Sequence, residues 1–204
     1  MPRIVNHEKK RKSIAEAAWS IIKKEGIEKA SIRRVAIEAG MSAGALRYYF
    51  SSKDEMLLFI MDYYVEEGKK RSQRKNWSKN PLQAVEEVLL ELVPIDEEKK
   101  IETSVWWIFA LRSLISDTLE EKKDEMTNGT YELANSMIEI LVLQGFLSDS
   151  INVELEKSRL SVLIEGLSIH ALLRPDVYSP KKVKEVIHYH LETLCGPEIS
   201  EGSG

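Results

Sequence analysis

Apolar residues in this chain recur at spacings of three and four from end to end, and no stretch sustains the every-second-residue alternation of a half-buried strand. That periodicity confines the chain to an all-α fold, and local stop and start signals divide it into about nine helices. The first is predicted from His7 to Glu25, with Ile14, Ala17, Ala18, Ile21 and Ile22 on one face and Gly26 past its end. Ser31 and Ser42 are N-caps for two short helices, the earlier stopping at Ala39-Gly40 and the later near Phe50. Ser52-Lys53-Asp54-Glu55 reads as a capping box opening a fourth helix that is apolar almost all round (Met56, Leu57, Phe59, Ile60, Met61, Tyr63, Tyr64). Pro81 suits the first turn of a fifth, Asp96-Glu97-Glu98 the dipole-favoured start of a sixth, and a long seventh runs to Gln144. Asn152 to Leu173 and Ser179 to Leu194 complete the set. The expected organisation is an N-terminal three-helix domain at 1–52, a C-terminal helical bundle at 53–197 and a disordered tail at 198–204.

With 43% hydrophobic residues in 204, the chain can bury proper cores. No apolar run approaches the roughly 18 to 20 residues needed to span a bilayer, and the N-terminus lacks the apolar core of a signal peptide, so a cytoplasmic protein is expected. The single Cys195 supports neither an intrachain disulfide nor a thiolate metal cluster, and reads as a small buried hydrophobe. The net charge of -4 is unevenly spread: residues 1–50 hold eleven lysines and arginines against five acids, a net of +6, which leaves -10 for the rest. A basic head on an acidic body suits a protein that offers one end to a polyanion.

Residues 31–50 have the spacing of a helix-turn-helix. Ala36 is small where two helix backbones approach, Gly40 tolerates the positive φ of the turn, and Val35, Ala39, Met41, Leu46 and Tyr49 fall on the inward positions. Ser42, Ala43, Gly44, Ala45, Arg47 and Tyr48 are then left outward, where a recognition helix meets base edges and phosphates in a major groove.

The run from Ile32 to Phe50, with Ala36, Gly40, Ser42, Gly44 and Tyr48-Tyr49-Phe50 in place, followed by Ser52-Lys53-Asp54-Glu55-Met56-Leu57, resembles the N-terminal signature of the TetR family of transcriptional regulators. The likeness covers about residues 9–60. Arg47 stands where the family more often has a tyrosine touching phosphate; an arginine there keeps that contact or turns to guanine. The rest is weakly similar to the BetI-like branch of the family, at Trp106 to Arg112 and Glu165-Gly166-Leu167, and no ligand is inferred from that. The resemblance implies a DNA-binding, ligand-responsive homodimer, usually a repressor.

Residue by residue, the candidate contacts to operator double-stranded DNA are Ser31, Arg33, Arg34, Ser42, Ala43, Gly44, Arg47, Tyr48 and Lys53. Ser31 and Ser42 can cap a helix and also donate to phosphate. Arg33, Arg34 and Lys53 are phosphate contacts or solvated surface charges, and Tyr48 and Arg47 have the reach to discriminate bases. In the body, Tyr64, Glu102, Trp106, Trp107, Phe109, Met137 and His170 are candidates to line a cavity for an apolar or cationic small-molecule effector, against the alternative of ordinary core packing. The last two helices carry more apolar positions than one neighbour covers, with Gly166 permitting a close crossing, and are read as half of a four-helix homodimer interface. Two heads are also what DNA half-sites about 34 Å apart require.

No cofactor, metal or catalytic residue is expected. His188 and His190 are two apart in a helix and point to different faces, a poor metal pair, and there is no glycine-rich phosphate loop or nucleophile elbow. The alternatives to a ligand-responsive regulator are a helix-turn-helix module without a ligand and, more remotely, a helical enzyme.

Overall fold

The computed structural model describes the backbone of residues 2–114, 117–148 and 150–196, and their side chains except those of 2–8 and 117–127. The described residues form nine α-helices and no strand, in agreement with the periodicity. The expected tail at 198–204 lies outside the described residues.

The first unit contains α1 (Pro2–Glu25), a single 3-10 turn (Ile27–Lys29), α2 (Ile32–Glu38), α3 (Ala43–Tyr49) and α4 (Lys53–Arg74). α1 begins earlier than predicted; Pro2 suits a first helical turn, where no amide is needed. α1 packs against α2 and α4, and α2 against α3. Ile14, Ala18, Ile21, Val35, Ala36, Leu46, Phe50, Met56, Leu57 and Ile60 are buried in these elements. The box that opens α4 differs in one detail from the pattern. Ser52 Oγ accepts the Glu55 amide at 3.0 Å, but the Glu55 carboxylate reaches one residue further back, to the amide and hydroxyl of Ser51, each at 2.6 Å. Those hydrogen bonds hold the Glu55 carboxyl below its ordinary pKa.

The chain divides into compact units at the Asn76–Trp77 bond, not at 52/53. The difference is α4. Its buried side chains Met56, Leu57, Ile60 and Met61 lie at helical spacing, α4 packs on α1, and Tyr64 stacks on Trp19 with ring centroids 4.0 Å apart. An apolar run shows that a helix is covered without showing by which neighbour.

The second unit holds α5 (Pro81–Glu91), α6 (Glu97–Ser113), α7 (Asp117–Leu143), α8 (Val153–Leu173) and α9 (Pro180–Cys195). Side chains of Asn80, Asp96, Asn152 and Ser179 cap four of them. The core is contributed by α5 (Leu82, Val85, Leu89), α7 (Ile138, Leu141), α8 (Leu160, Ile164, Leu167) and α9 (Val183, Ile187, Leu191). α6 packs on α7 and α8, and the Trp107 indole N–H donates to Ser168 Oγ at 2.9 Å. Cys195 is half-buried; burial pushes its thiol up to about 11, so little reactive thiolate exists at neutral pH.

Candidate nucleic-acid interface

The geometry of residues 31–50 follows from a few backbone hydrogen bonds. α2 ends in a Schellman motif: Gly40 takes φ of 65°, its amide donates to Ile37 O at 3.1 Å, and the Met41 amide donates to Ala36 O at 2.8 Å. A side chain at position 40 would strain that turn. The chain is thereby turned so that Ser42, one residue after Met41, can start α3. Ser42 Oγ accepts the Ala45 amide at 3.1 Å and Ser31 Oγ accepts the Arg34 amide at 3.2 Å, so both serines serve as caps. Val35, Ala36 and Leu46 are buried between the helices, with Ala39, Met41 and Tyr49 half-buried beside them.

The other side of α3 is open. Ser42, Ala43, Gly44, Ala45, Arg47 and Tyr48 are all exposed, Tyr48 by 83%. A ring that exposed gains almost nothing from its own fold. Gly44 is informative in the same way: a Cβ there would meet only Ser42 Oγ, at 3.9 Å, so the fold itself does not require glycine at this position.

The structure separates cations that look alike in the sequence. Arg33 and Arg47 are exposed and carry no hydrogen bond or ion pair among the described residues. Arg34 is held by Glu25 at 2.7 Å and Glu38 at 3.3 Å. The Glu25 hydrogen bond, and then its charge, raise the Arg34 pKa above the ordinary value. Lys53 Nζ donates to the carbonyl and carboxylate of Glu28, both at 3.3 Å. Phosphate contact by Arg34 or Lys53 must therefore compete with an existing partner. Sequence reasoning missed Arg11. Its guanidinium lies 4.5 Å from the Phe59 ring centroid, and it lines with Tyr48, Tyr49 and Glu55 a groove of about 390 Å³. The basic run Lys9-Lys10-Arg11-Lys12 was the available signal.

The candidate ligand residues are dispersed. Tyr64 belongs to the first unit, where with Trp19, Lys23 and Lys24 it lines a separate cleft of about 300 Å³. In the second unit Trp106 and Trp107 meet edge to face with centroids 4.8 Å apart, Glu102 is half-buried, and Phe109 and Met137 are buried. Met137 sits in the core with Ile138 and Leu141. His170 is exposed near the end of α8 and stacks on Tyr178 at 5.5 Å. One polar residue was overlooked as a candidate: Glu165 is half-buried on α8, and burial alone raises its carboxyl pKa. An acid between Ile164 and Gly166 in an apolar helix was its sequence signal.

A short helix opened by a capping serine, presenting exposed side chains from a basic unit, defines a helix-turn-helix DNA-binding protein. Comparison with known proteins narrows the class. Residues 14–60 match the model of bacterial regulatory proteins of the tetR family, and residues 81–196 that of the C-terminal region of BetI-type transcriptional repressors. The HTH-type transcriptional regulator PksA of Bacillus subtilis (strain 168) is 36% identical over 204 residues, 98% of this chain and 97% of its own length. Among solved structures, a transcriptional regulator from Rhodococcus sp. Rha1 is similar with a TM-score of 0.71 at 25% identity, covering 90% of this chain and 95% of its own. A protein of Saccharomonospora viridis in complex with choline has a TM-score of 0.79 at 22% identity, covering 91% and 96%. The chain belongs to the tetR family of bacterial regulatory proteins and is a DNA-binding transcriptional regulator.

Proposed function

We propose that this regulator is a repressor that holds operator double-stranded DNA as a homodimer and leaves it when a small molecule binds the second unit. The observation that carries the reading is the open outer face of α3, where Arg47 and Tyr48 are exposed, Tyr48 by 83%. Arg47 and Tyr48 read base edges, Ser31, Ser42 and Arg33 contact phosphate, and Ala43 and Gly44 let the helix approach the duplex. Arg34 and Lys53 reach phosphate only by giving up their glutamates. Residues 1–52 supply the DNA contacts, with α4 packed beside them, and the remainder to 197 senses and pairs. Trp106, Trp107 and Phe109 supply apolar surface for the effector, with the half-buried Glu102 and Glu165 as candidate carboxylates; Tyr64, Met137 and His170 are further candidates. The choline complex of the Saccharomonospora viridis protein supports a ligand chamber in this fold. The relatives bear regulator names, which supports a regulator over an enzyme. Among the described residues no helix is long and apolar enough to cross a membrane, and the reading places the protein in the cytoplasm with its DNA.

Fluorescence anisotropy of promoter fragments tests this. The expected result is binding at low salt by two chains per site, weakened by at least one member of a panel of apolar and cationic small molecules. No affinity for any fragment at low salt removes the reading. Binding that no member of the panel alters points instead to a module without an effector.

A further inference from the structure

Along α8, residues 155, 159, 162, 166, 169 and 173 recur at four and three and share one face. Leu155, Val162 and Leu173 on that face are more than 60% exposed, and Gly166 and Ile169 lie half-buried between them. Arg159 is the one charged residue of the stripe, and it is already paired with Glu156 Oε1 at 2.6 Å. An apolar stripe whose only charge is neutralised within its own chain can meet a copy of itself without like-charge repulsion. That favours a second copy over a charged partner as its occupant.

Beside α9 the stripe opens into a groove of about 450 Å³ lined by Leu155, Ser158, Arg159, Val162, Leu163 and His190. His190 is only 8% exposed, yet its Nε2 has no hydrogen-bond partner among the described residues, and neither has Oε2 of the neighbouring buried Glu156. Buried polar atoms are rarely left so, because burial removes the water that would satisfy them. We infer that, within the homodimer proposed above and resting on it, this groove receives a side chain of the second copy that donates a hydrogen bond to His190 Nε2, so that pairing requires the neutral ring and weakens in acid.

The charges around the ring agree with that direction. Burial pushes the His190 pKa below its usual value, Arg159 of α8 adds to the effect, and Glu156 of α8 opposes it. The charge that α5 brings to α9, Glu86, goes to His188, which also meets Glu192. A side chain seated in the groove excludes more water and disfavours the charged ring further. The contribution to pairing is therefore complete above the pKa of the ring in the unpaired chain, which burial already sets below the usual histidine value, and is lost as pH falls from there through the still lower value of the paired state.

The test is sedimentation equilibrium of the full chain at about pH 7.5 and about pH 5, well below the usual histidine value, with helical circular dichroism confirming the fold at both. The dimer dissociation constant should rise at least about tenfold in acid, and His190→Gln, which keeps a hydrogen-bonding group but cannot titrate, should lose most of that dependence. Equal pairing of the unaltered chain at both pH values, or an undiminished pH dependence in His190→Gln, overturns the inference while leaving the dimer intact. A single chain at both pH values and micromolar concentration defeats the dimer reading instead. Should His190→Gln not fold, the ring's own NMR titration decides: its pKa should fall as concentration is raised through the pairing range, and an unmoved value overturns the inference.

Discussion

The two units use the same element, an amphipathic helix, in opposite ways. In the first, a seven-residue helix is held by one buried leucine, Leu46, and keeps its whole outer face exposed. In the second, longer helices each bury one row of side chains in a shared core, and the polar groups of interest, Glu165, Glu156 and His190, are wholly or partly covered. A surface that meets a duplex can be specified by caps, a turn and a few free side chains within twenty residues. A chamber or a seam is specified by whatever packs around it, which local sequence does not state.

The largest effects should come from breaking the cores that make this contrast possible. Leu46→Ala and Leu89→Ala each remove a fully buried side chain and should cost about 2 to 5 kcal/mol in urea unfolding followed by circular dichroism. Leu46→Ala should also weaken DNA binding beyond what its stability loss explains, since α3 loses its one buried anchor; unaltered affinity in a folded variant would show that α3 is held in another way. Next in size, Tyr48→Ala should leave stability unchanged, because the ring is exposed, but cost about 1 to 3 kcal/mol on the operator and little on random DNA. Equal losses on both duplexes would remove Tyr48 from base reading. Smallest, Arg33→Ala should flatten the logarithmic salt dependence of binding by about 0.9, one phosphate's worth. Lys53→Ala should change it less, because Glu28 already holds that ammonium. The reverse order would show that the Glu28 pair opens on DNA.

The helix-turn-helix was legible because each of its requirements is local. Ser42 caps an amide three residues on, Gly40 turns the chain at its own φ, and Leu46 lies one turn from Ser42. What escaped the sequence lies further apart along the chain. Arg34 meets Glu25 nine residues away, and Lys53 meets Glu28 at a separation of 25, so two candidate phosphate contacts proved already engaged while Arg33 did not. His190 looked unremarkable beside His188 until folding brought α8 against it.

By itself, then, the amino-acid order determined the helical character of the chain, the number of its helices, the serine caps of α2, α3 and α4, and the turn that sets α3 outward, since each depends on bonds between residues close in sequence. Only the tertiary structure decided that α4 packs with the first unit, which cations are free of partners among the described residues, and that His190 is buried with a nitrogen that none of those residues meets. Those outcomes depend on which distant helix covers a given face, and periodicity states that a face is apolar without naming the surface that will cover it.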